Sequence, residues 1–457
     1  MLLGPELQAG ARAVSAGSPC QGCQGVRAGV RKPTLGHWPH VWLAPLATAA
    51  AARSRVRRRV EDREELMRPR TAESKFWQWK EGITVHYAKA SKLPSDTAVV
   101  LLHGFGVASF HYEHQFAPLS QAGYTVYAMD NVGAGLSWPD RDPAPGGPQE
   151  LQDVAGSQWG FGSPDPQYED MVIGEDLWVQ QIKDFISQLV AEPKVILAGN
   201  SLGGYLTVLA TAFMEDSTLQ RIKGVALLNA TPFWGWIPNR AKNPGLHSAF
   251  PWKGRLPVPR SVRALALTWY NTLRNPDSIE WLLNFVTVNP AGVGHQLPVR
   301  IAAMADHPNG AAAFSQILFT PQAELSFEDA LQQVVARKVP ALLLYGREDP
   351  WIVPYWGARA YMTAPSADYF QVSPSGHCPH FESPAAVNAA LLRWLHATNP
   401  VEGQELLEPL PADIGESFHV READGRELKV TRRGLPEPFR EGGIAWDELP
   451  AWIQSCF

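Results

Sequence analysis

The sequence predicts an α/β protein built on a doubly wound, mostly parallel sheet, and three observations carry that prediction. First, short and nearly continuous apolar runs recur along the chain, as expected of strands buried on both faces. Second, stretches with helical periodicity separate these runs, and such alternation favours parallel strands joined by right-handed crossovers. Third, 45% of the 457 residues are hydrophobic and 19% are charged, which suits a globular chain with a large core.

The predicted elements follow one another from about residue 76. Buried apolar runs predict strands at 97–105, 124–130, 194–200, 222–230, 339–346 and 367–374. Apolar residues at helical spacing predict helices at 174–190, in the run GGYLTVLATAFM after residue 202, and at 384–397. We therefore predict one α/β domain over 76–400.

Two stretches interrupt the alternation, and a tail follows it. Residues 139–170 are rich in Pro, Gly, Asp and Ser, which predicts a surface loop. Residues 231–335 lie between two predicted strands and contain helical segments such as SVRALALTWYNTL and DSIEWLLNFV, so we expect a helical cap or lid there. In the tail, 401–457, the segment FHVREADGRELKV predicts a hairpin turning at Asp424 and Gly425, with no assigned role.

Charge is distributed unevenly along the chain. Residues 1–60 carry nine Lys or Arg and one acid, Glu6, which leaves a formal −13 on the other residues because the whole chain carries −5. A basic, acid-poor start is typical of an organelle transit peptide, which we predict for 1–70; the alternative is a disordered basic arm. The acidic remainder offers no phosphate-neutralising face, so a nucleic-acid partner is not expected.

The four cysteines predict neither a disulfide framework nor a metal site. Cys20 and Cys23 form a C-x-x-C, but no second pair follows to complete a zinc site. Cys378 and Cys456 are expected to be free thiols. No metal or other cofactor is predicted.

The segment ILAGNSLGGYL places a serine between a predicted strand and a predicted helix. Gly199, Ser201 and Gly203 form a G-x-S-x-G pattern in the context that a nucleophile elbow requires. The glycines allow a tight turn, and the serine then projects its hydroxyl above the sheet. We predict that Ser201 is a nucleophile; the alternative is a purely structural turn.

A serine hydroxyl needs a base, and in this type of fold the acid and then the histidine follow the serine along the chain. One later strand ends in REDP, where Asp349 is the predicted orienting acid and Glu348 the fallback. The last strand leads into PSGHCPH, where His377 is the predicted general base and His380 the competing candidate.

The developing oxyanion needs preorganised donors. We predict the backbone N–H groups of Leu202, directly after the serine, and of Phe105, in the HGFG loop after the first strand. His103 in that loop is expected to brace it by hydrogen bonding. Asn229 stands where some hydrolases place their acid, which excludes an acid at that strand end.

Several long segments make the chain resemble the pheophytinases, plastid α/β-hydrolases that remove phytol from pheophytin. The resemblance runs from residue 76 to about residue 397 and rests on FWQWKEGITVHYAKA, GFGVASFHYEHQ, WGFG, GEDLWVQQIKDFI, AGNSLGGYL, LLNATPFWGWIPN, LLYGREDPWIVPYWG and SPSGHCPH. It implies the α/β-hydrolase fold, a triad of Ser201, Asp349 and His377, and a chloroplast address, either stromal or thylakoid-associated.

Tryptophans in and beside the predicted cap suit a large apolar substrate. Trp234, Trp236 and Trp351 are the predicted substrate contacts, since indole rings offer wide apolar surfaces for a macrocycle or an isoprenoid chain. The alternative is that they fill the core of the cap.

The expected function is a cofactor-free serine esterase that hydrolyses the phytyl ester of pheophytin through an acyl-enzyme. The residues themselves predict a large apolar ester, and pheophytin comes from the resemblance. The alternatives are an esterase of chlorophyll, a galactolipid or lipid esterase, and a hydrolase-fold receptor that binds without turnover. Peripheral thylakoid contact and other enzymes of chlorophyll breakdown are the remaining expected partners.

Overall fold

The computed structural model describes residues 60–139, 172–254, 260–289, 294, 296–307, 309–401 and 407–435. Its strands form a mixed sheet in the order β1-β2-β4-β3-β6-β7-β8-β9-β11-β10, with a short β5 paired to β2. The strands are β1 Glu73–Lys80, β2 Ile83–Ala90, β3 Thr97–Leu102, β4 Thr125–Met129, β5 Trp138–Pro139, β6 Lys194–Asn200, β7 Ile222–Leu228, β8 Ala341–Gly346, β9 Asp368–Ser373, β10 Ser417–Arg421 and β11 Glu427–Arg432.

Helices cover both faces of this sheet and fill the connections. They are α1 Val60–Met67, α2 Glu113–Gln121, α3 Glu175–Asp184, α4 Leu202–Ala212, α5 Asp216–Leu219, α6 Pro244–Ala249, α7 Arg260–Leu273, α8 Pro276–Val286, α9 Gln296–Ala305, α10 Gly310–Leu318, α11 Phe327–Ala336, α12 Pro354–Thr363, α13 Pro379–Glu382 and α14 Pro384–Thr398. A 3₁₀ turn, Ser109–Tyr112, precedes α2, and a π-helical turn, Phe185–Leu189, extends α3.

The prediction of a mostly parallel, doubly wound sheet is confirmed. Pairing is parallel from β4 through β3, β6, β7 and β8 to β9. All six residues of β3 and of β8 are buried, as the continuous apolar runs predicted. Two core clusters lie on opposite faces of the sheet, one around α3 and α4 and the other around α2 and α14.

Both ends of the sheet continue beyond the predicted strands. At one end β1 and β2 add an antiparallel hairpin, joined to β4. At the other end the predicted C-terminal hairpin forms as β10 and β11, and β11 pairs antiparallel with β9. The sequence predicted this second hairpin but not its place in the sheet.

The insertion between β7 and β8 contains α6 to α11. The sequence predicted α7 and α8, and a cap or lid over 231–335 stays a prediction. The predicted loop, 139–170, lies almost entirely outside the described residues. Helix α1 lies within 1–70, the segment predicted to be a transit peptide. Its last residue, Met67, is fully buried.

A hydrogen-bonded series of serine, histidine and aspartate side chains, separate from the predicted triad, connects β1 and β2 to the end of β4. His86 Nδ1 lies 2.8 Å from Asp130 Oδ2, and His86 Nε2 is hydrogen-bonded to Ser74. Asp130 also accepts from the backbone N–H groups of Ser109 and Leu136. Because the His86 and Asp130 side chains are completely buried, we interpret this hydrogen-bonded series as a structural link between strands.

The buried carboxyl of Glu175 connects α4, the helix that follows Ser201, with the last part of the insertion. Glu175 Oε2 accepts from Tyr205 Oη on α4 at 2.9 Å and from the Ala323 N–H at 2.7 Å. Burial raises the pKa of this carboxyl to about 8, with the Tyr205 and Ala323 hydrogen bonds opposing and the nearby Asp176 adding to the rise.

Replacing Glu175 by glutamine is expected to change how stability depends on pH. Between its ordinary pKa of 4.5 and about 8, the folded chain holds a proton that the unfolded chain has released. The free energy of unfolding of the native protein therefore falls as pH rises through this range, at up to about 1.4 kcal/mol per pH unit from this group. Glu175→Gln should remove that slope and be the more stable protein at pH 9, as measured by urea unfolding.

The matched control for this prediction is Glu427→Gln, at an exposed position on β11. It should keep the native slope of unfolding free energy against pH. Equal slopes in Glu175→Gln and the native protein would show that the Glu175 carboxyl does not hold a proton at neutral pH.

Candidate active site

Ser201 occupies a sharp turn between β6 and α4. Its backbone has φ 54° and ψ −119°, a region that residues with side chains rarely adopt. The turn also needs its glycines, because a Cβ on Gly203 would lie 1.9 Å from the Leu102 carbonyl oxygen and one on Gly199 would lie 2.2 Å from Gly203. This is the strained strand-to-helix geometry of a nucleophile elbow.

The loops after β8 and β9 bring Asp349 and His377 together. His377 Nδ1 lies 2.8 Å from Asp349 Oδ2, a distance at which the ring N–H donates to the carboxylate. The other carboxylate oxygen accepts from the backbone N–H groups of Trp351 at 2.7 Å and Ile352 at 2.9 Å. Asp349 is only 2% exposed, so its position is fixed by these contacts.

The Asp349 carboxyl keeps its charge despite its burial. Burial alone would raise its pKa, but the charge and hydrogen bond of His377, with donors from Trp351 and Asn229, hold the pKa below its ordinary value. A carboxylate that stays ionised can orient the imidazole and stabilise it once it carries a proton.

Asn229, at the end of β7, takes part in this arrangement, which the sequence did not predict. Its Nδ2 donates to Asp349 Oδ2 at 2.7 Å, and its Oδ1 accepts from the Gly346 N–H at 2.9 Å. Its backbone φ of 44° is also unusual for a residue with a side chain. The available signal was a polar residue at the carboxyl end of a buried strand.

Asn200 connects the elbow to the histidine loop. Its Nδ2 donates to the His377 carbonyl oxygen at 3.0 Å and to the Leu228 carbonyl oxygen at 3.1 Å. The Ser201 N–H also donates to the Leu228 carbonyl, at 3.0 Å. The serine turn, the end of β7 and the backbone of His377 are therefore held together by one side chain next to the serine.

The two alternative candidates, Glu348 and His380, have other hydrogen-bond partners in the structure. Glu348 is exposed, and its carboxylate accepts from Ser373 Oγ at 2.6 Å and the Ser375 N–H at 2.8 Å, rather than from a histidine. His380 is fully buried, with its Nε2 3.1 Å from Nδ1 of His111. Burial lowers the pKa of both of these imidazoles, so they are held neutral in the core.

The two predicted oxyanion donors belong to segments next to the serine. Leu202 is the first residue of α4, where a helix leaves its N–H without an intrahelical acceptor. Phe105 lies in the loop after β3, and a Cβ on the preceding Gly104 would lie 3.3 Å from Ser201 Cβ. His103 braces that loop through the Gly104 carbonyl oxygen, 2.8 Å from Nδ1, and the Asn131 N–H, 3.0 Å from Nε2.

Of the three predicted substrate tryptophans, two border these residues. The Trp234 ring is 5.3 Å from that of Phe105, and its buried indole N–H has no hydrogen-bond partner among the described residues. The Trp351 ring is 50% exposed and lies 6.4 Å from the His377 imidazole. Trp236 is 58% exposed, and its ring contacts are with Trp269 and Phe319 of the insertion.

The described residues contain neither a cluster of side chains suited to a metal ion nor a helix that could span a membrane. No group of three or more His, Cys, Asp or Glu side chains in the described part of the chain is arranged to hold a metal ion. None of the described helices is both long enough and apolar enough to span a membrane.

Comparison with known proteins shows the family of the chain. The alpha/beta hydrolase family model matches residues 99–390. Pheophytinase, chloroplastic, from Arabidopsis thaliana is 38% identical over 366 residues, covering 78% of this chain and 72% of that protein. The crystal structure of carboxylesterase CesB from Bacillus subtilis shares the fold, with a TM-score of 0.50 and 16% identity, and covers 74% of this chain and 95% of that one. The chain belongs to the alpha/beta hydrolase family, within which it is a relative of chloroplastic pheophytinase.

Proposed function

We propose that this protein is a serine esterase that hydrolyses the phytyl ester of pheophytin, releasing phytol and pheophorbide. Ser201 is the nucleophile, His377 the general base and Asp349 the acid that orients the base. The observation that carries this proposal is the 2.8 Å pair of His377 and Asp349, whose loop is hydrogen-bonded through Asn200 to the strained Ser201 turn.

The chemistry follows from these positions. His377 Nε2 takes the Ser201 proton as Oγ attacks the ester carbonyl, and the N–H groups of Leu202 and Phe105 stabilise the oxyanion. The imidazolium then protonates the phytyl oxygen, so phytol leaves and the pigment remains as an acyl-enzyme. Water attacks the acyl group with His377 again as base. The bond between Ser201 Oγ and the acyl group then breaks, the imidazolium returns the proton to Oγ, and pheophorbide leaves; Asp349 stabilises the imidazolium in both halves.

Two observations support a large apolar ester with a pigment acyl group. The relative that covers most of the chain is named for pheophytin hydrolysis. Aromatic rings also surround the predicted oxyanion loop and the base: Phe105, itself 41% exposed, lies among Trp234 and Phe314, and Trp351 lies beside His377. Flat rings and an isoprenoid chain find apolar contacts on such surfaces.

The proposal includes a chloroplast location. The basic, acid-poor composition of 1–60 and the chloroplastic relative support it. We propose that the protein works in the stroma or in peripheral contact with thylakoids, because the phytyl chain makes the pigment lipid-like. It would act there alongside other enzymes of chlorophyll breakdown.

The test is turnover by the purified protein on pheophytin, chlorophyll and a galactolipid, with released phytol or fatty acid measured by chromatography. We expect pheophytin to be hydrolysed with the highest kcat/KM and the Ser201→Ala protein to be inactive on all three. Equal hydrolysis of chlorophyll would refute the preference for the metal-free pigment. Faster hydrolysis of the galactolipid would indicate a lipid esterase, and tight pigment binding without any turnover would indicate a receptor.

A further inference from the structure

The turn of the C-terminal hairpin lies against the chain that follows His377. Arg426 Nη2 donates to the carbonyl oxygen of Glu382, the last residue of α13, at 2.6 Å. Four residues before Arg426, Glu422 accepts from the N–H groups of Ala385 at 3.2 Å and Ala386 at 3.1 Å, at the start of α14. The hairpin therefore holds this segment at two points, the carbonyl of Glu382 and the start of α14.

The Glu382 carboxylate in turn joins the histidine loop to the end of α8 in the insertion. Oε1 accepts from the Gly376 N–H at 2.6 Å. Oε2 accepts from the N–H groups of Val288 at 2.9 Å and Asn289 at 3.3 Å. Burial raises the pKa of this carboxyl, while those backbone donors and the Arg426 charge oppose the rise.

The backbone of His377 is fixed by the same contact. Its N–H donates to the Val286 carbonyl oxygen at 2.8 Å. Next to it, a Cβ on Gly376 would lie 2.4 Å from that carbonyl oxygen. The two backbone segments therefore pack too closely for any side chain at residue 376. The direction of the imidazole consequently depends on how firmly residues 376–377 are held against the end of α8.

The hairpin also reaches the insertion directly. Arg426 Nε donates to Asp424 Oδ2 at 2.7 Å, and the same oxygen accepts from Asn289 Nδ2 at 3.1 Å. One guanidinium thus bonds the carbonyl of Glu382 and the carboxylate that holds Asn289. A planar guanidinium has donors in fixed directions that can make both bonds at once, which an ammonium or an amide cannot reproduce.

We propose that Arg426 is a positioning residue for the esterase reaction, acting through Glu382 to hold the His377 loop against the end of α8. The inference rests on the proposed function, since it gives His377 the role of base. It assigns the hairpin of the C-terminal tail a part in the proposed reaction.

The test compares Arg426→Gln with Arg421→Gln, an exposed arginine of the same hairpin. Initial rates are measured with pheophytin and with a short p-nitrophenyl ester, and are divided by the active sites titrated with a fluorophosphonate. Arg426→Gln should lower kcat about 3- to 10-fold on both substrates with KM unchanged, because a displaced base slows proton transfer. Arg421→Gln should stay within about twofold of the native kcat.

Two further variants test the path through Glu382. Arg426→Lys restores the charge but not the paired donors, so its kcat should lie between those of the native protein and Arg426→Gln. In Glu382→Gln the amide nitrogen must face either the Gly376 N–H or the Val288 N–H, and the kcat loss should be at least as large, about 10-fold or more. Thermal unfolding of every variant shows whether it is folded.

The outcomes separate this inference from the proposed function. If the native protein shows no turnover that depends on Ser201, the proposed function fails before any hairpin variant is compared. If the native protein is active and Arg426→Gln matches Arg421→Gln in kcat per titrated site, the positioning role is wrong, even if Arg426→Gln melts at a lower temperature. If Glu382→Gln does not fold, Arg426→Gln alone decides.

Discussion

Ser201→Ala is expected to lower kcat for ester hydrolysis by at least about 10⁴-fold, since removal of a catalytic serine leaves only binding and oxyanion stabilisation. In the proposed mechanism the Ser201 hydroxyl is the group that forms the acyl-enzyme, and alanine has no such group. The native serine already has a positive φ, so alanine adds no steric demand, and the fold should be retained.

The measurement is phytol release from pheophytin together with hydrolysis of a p-nitrophenyl ester. Fluorophosphonate labelling followed by mass spectrometry should place the adduct on Ser201 in the native protein. The matched control is Ser187→Ala, an exposed serine on the π-helical turn, which should have native kcat and native labelling. Native-level activity in Ser201→Ala would remove the nucleophile assignment.

Asp349→Asn is expected to produce the second largest loss, about 10³- to 10⁴-fold in kcat, because an amide no longer selects the imidazole tautomer that accepts the serine proton. Both carboxylate oxygens accept two hydrogen bonds each, from His377 and Asn229 on one side and from Trp351 and Ile352 on the other. The amide nitrogen must face one of these donor pairs, whichever way it turns.

The neighbouring carboxylate provides the control. Glu348→Gln, one residue earlier, changes a side chain whose bonds to described residues are with Ser373 and Ser375, and kcat should stay within about twofold of the native value. Initial rates from pH 5 to 9 and thermal unfolding distinguish lost chemistry from lost folding. A large loss in Glu348→Gln with a small one in Asp349→Asn would reverse the assignment of the acid.

The sign of the pH dependence at Asp349 follows from its lowered pKa. A carboxyl whose folded pKa is depressed contributes stability that is present above its unfolded pKa and is lost as pH falls through the folded value. We therefore expect the native protein, compared with Asp349→Asn, to lose its relative stability only in acid, below about pH 4.

The fold and the candidate site residues could be predicted because the signals for both lie in short segments of the sequence. Buried parallel strands are continuous apolar runs, and the elbow needs its glycines within two residues of the serine, so β6 and Ser201 were found together. Asp349 and His377 each follow a strand directly. Since parallel strands end at one edge of the sheet, their place in the chain predicted that they would lie near Ser201.

What the sequence could not supply depends on contacts between distant segments. Glu348 and Asp349 are adjacent carboxylates at one strand end, and only the path of the loop decides which of them meets an imidazole. Asn229 and Glu382 act through hydrogen bonds to residues more than 90 positions away, in one case across the insertion. Long-range pairing also hid the partner of the C-terminal hairpin, because a hairpin pattern does not specify which sheet edge it joins.

The added hairpin has a consequence for the solubility of the folded chain. Without β11, the row of backbone N–H and C=O groups on β9 would be an open template for another strand, and Phe370 and Val372 would lose their cover from Leu428 and Val430. With it, the outermost of the described strands at this end of the sheet is β10, a five-residue strand ending in Arg421. Short, charged edges resist strand addition between molecules, so the hairpin also protects the sheet from self-association.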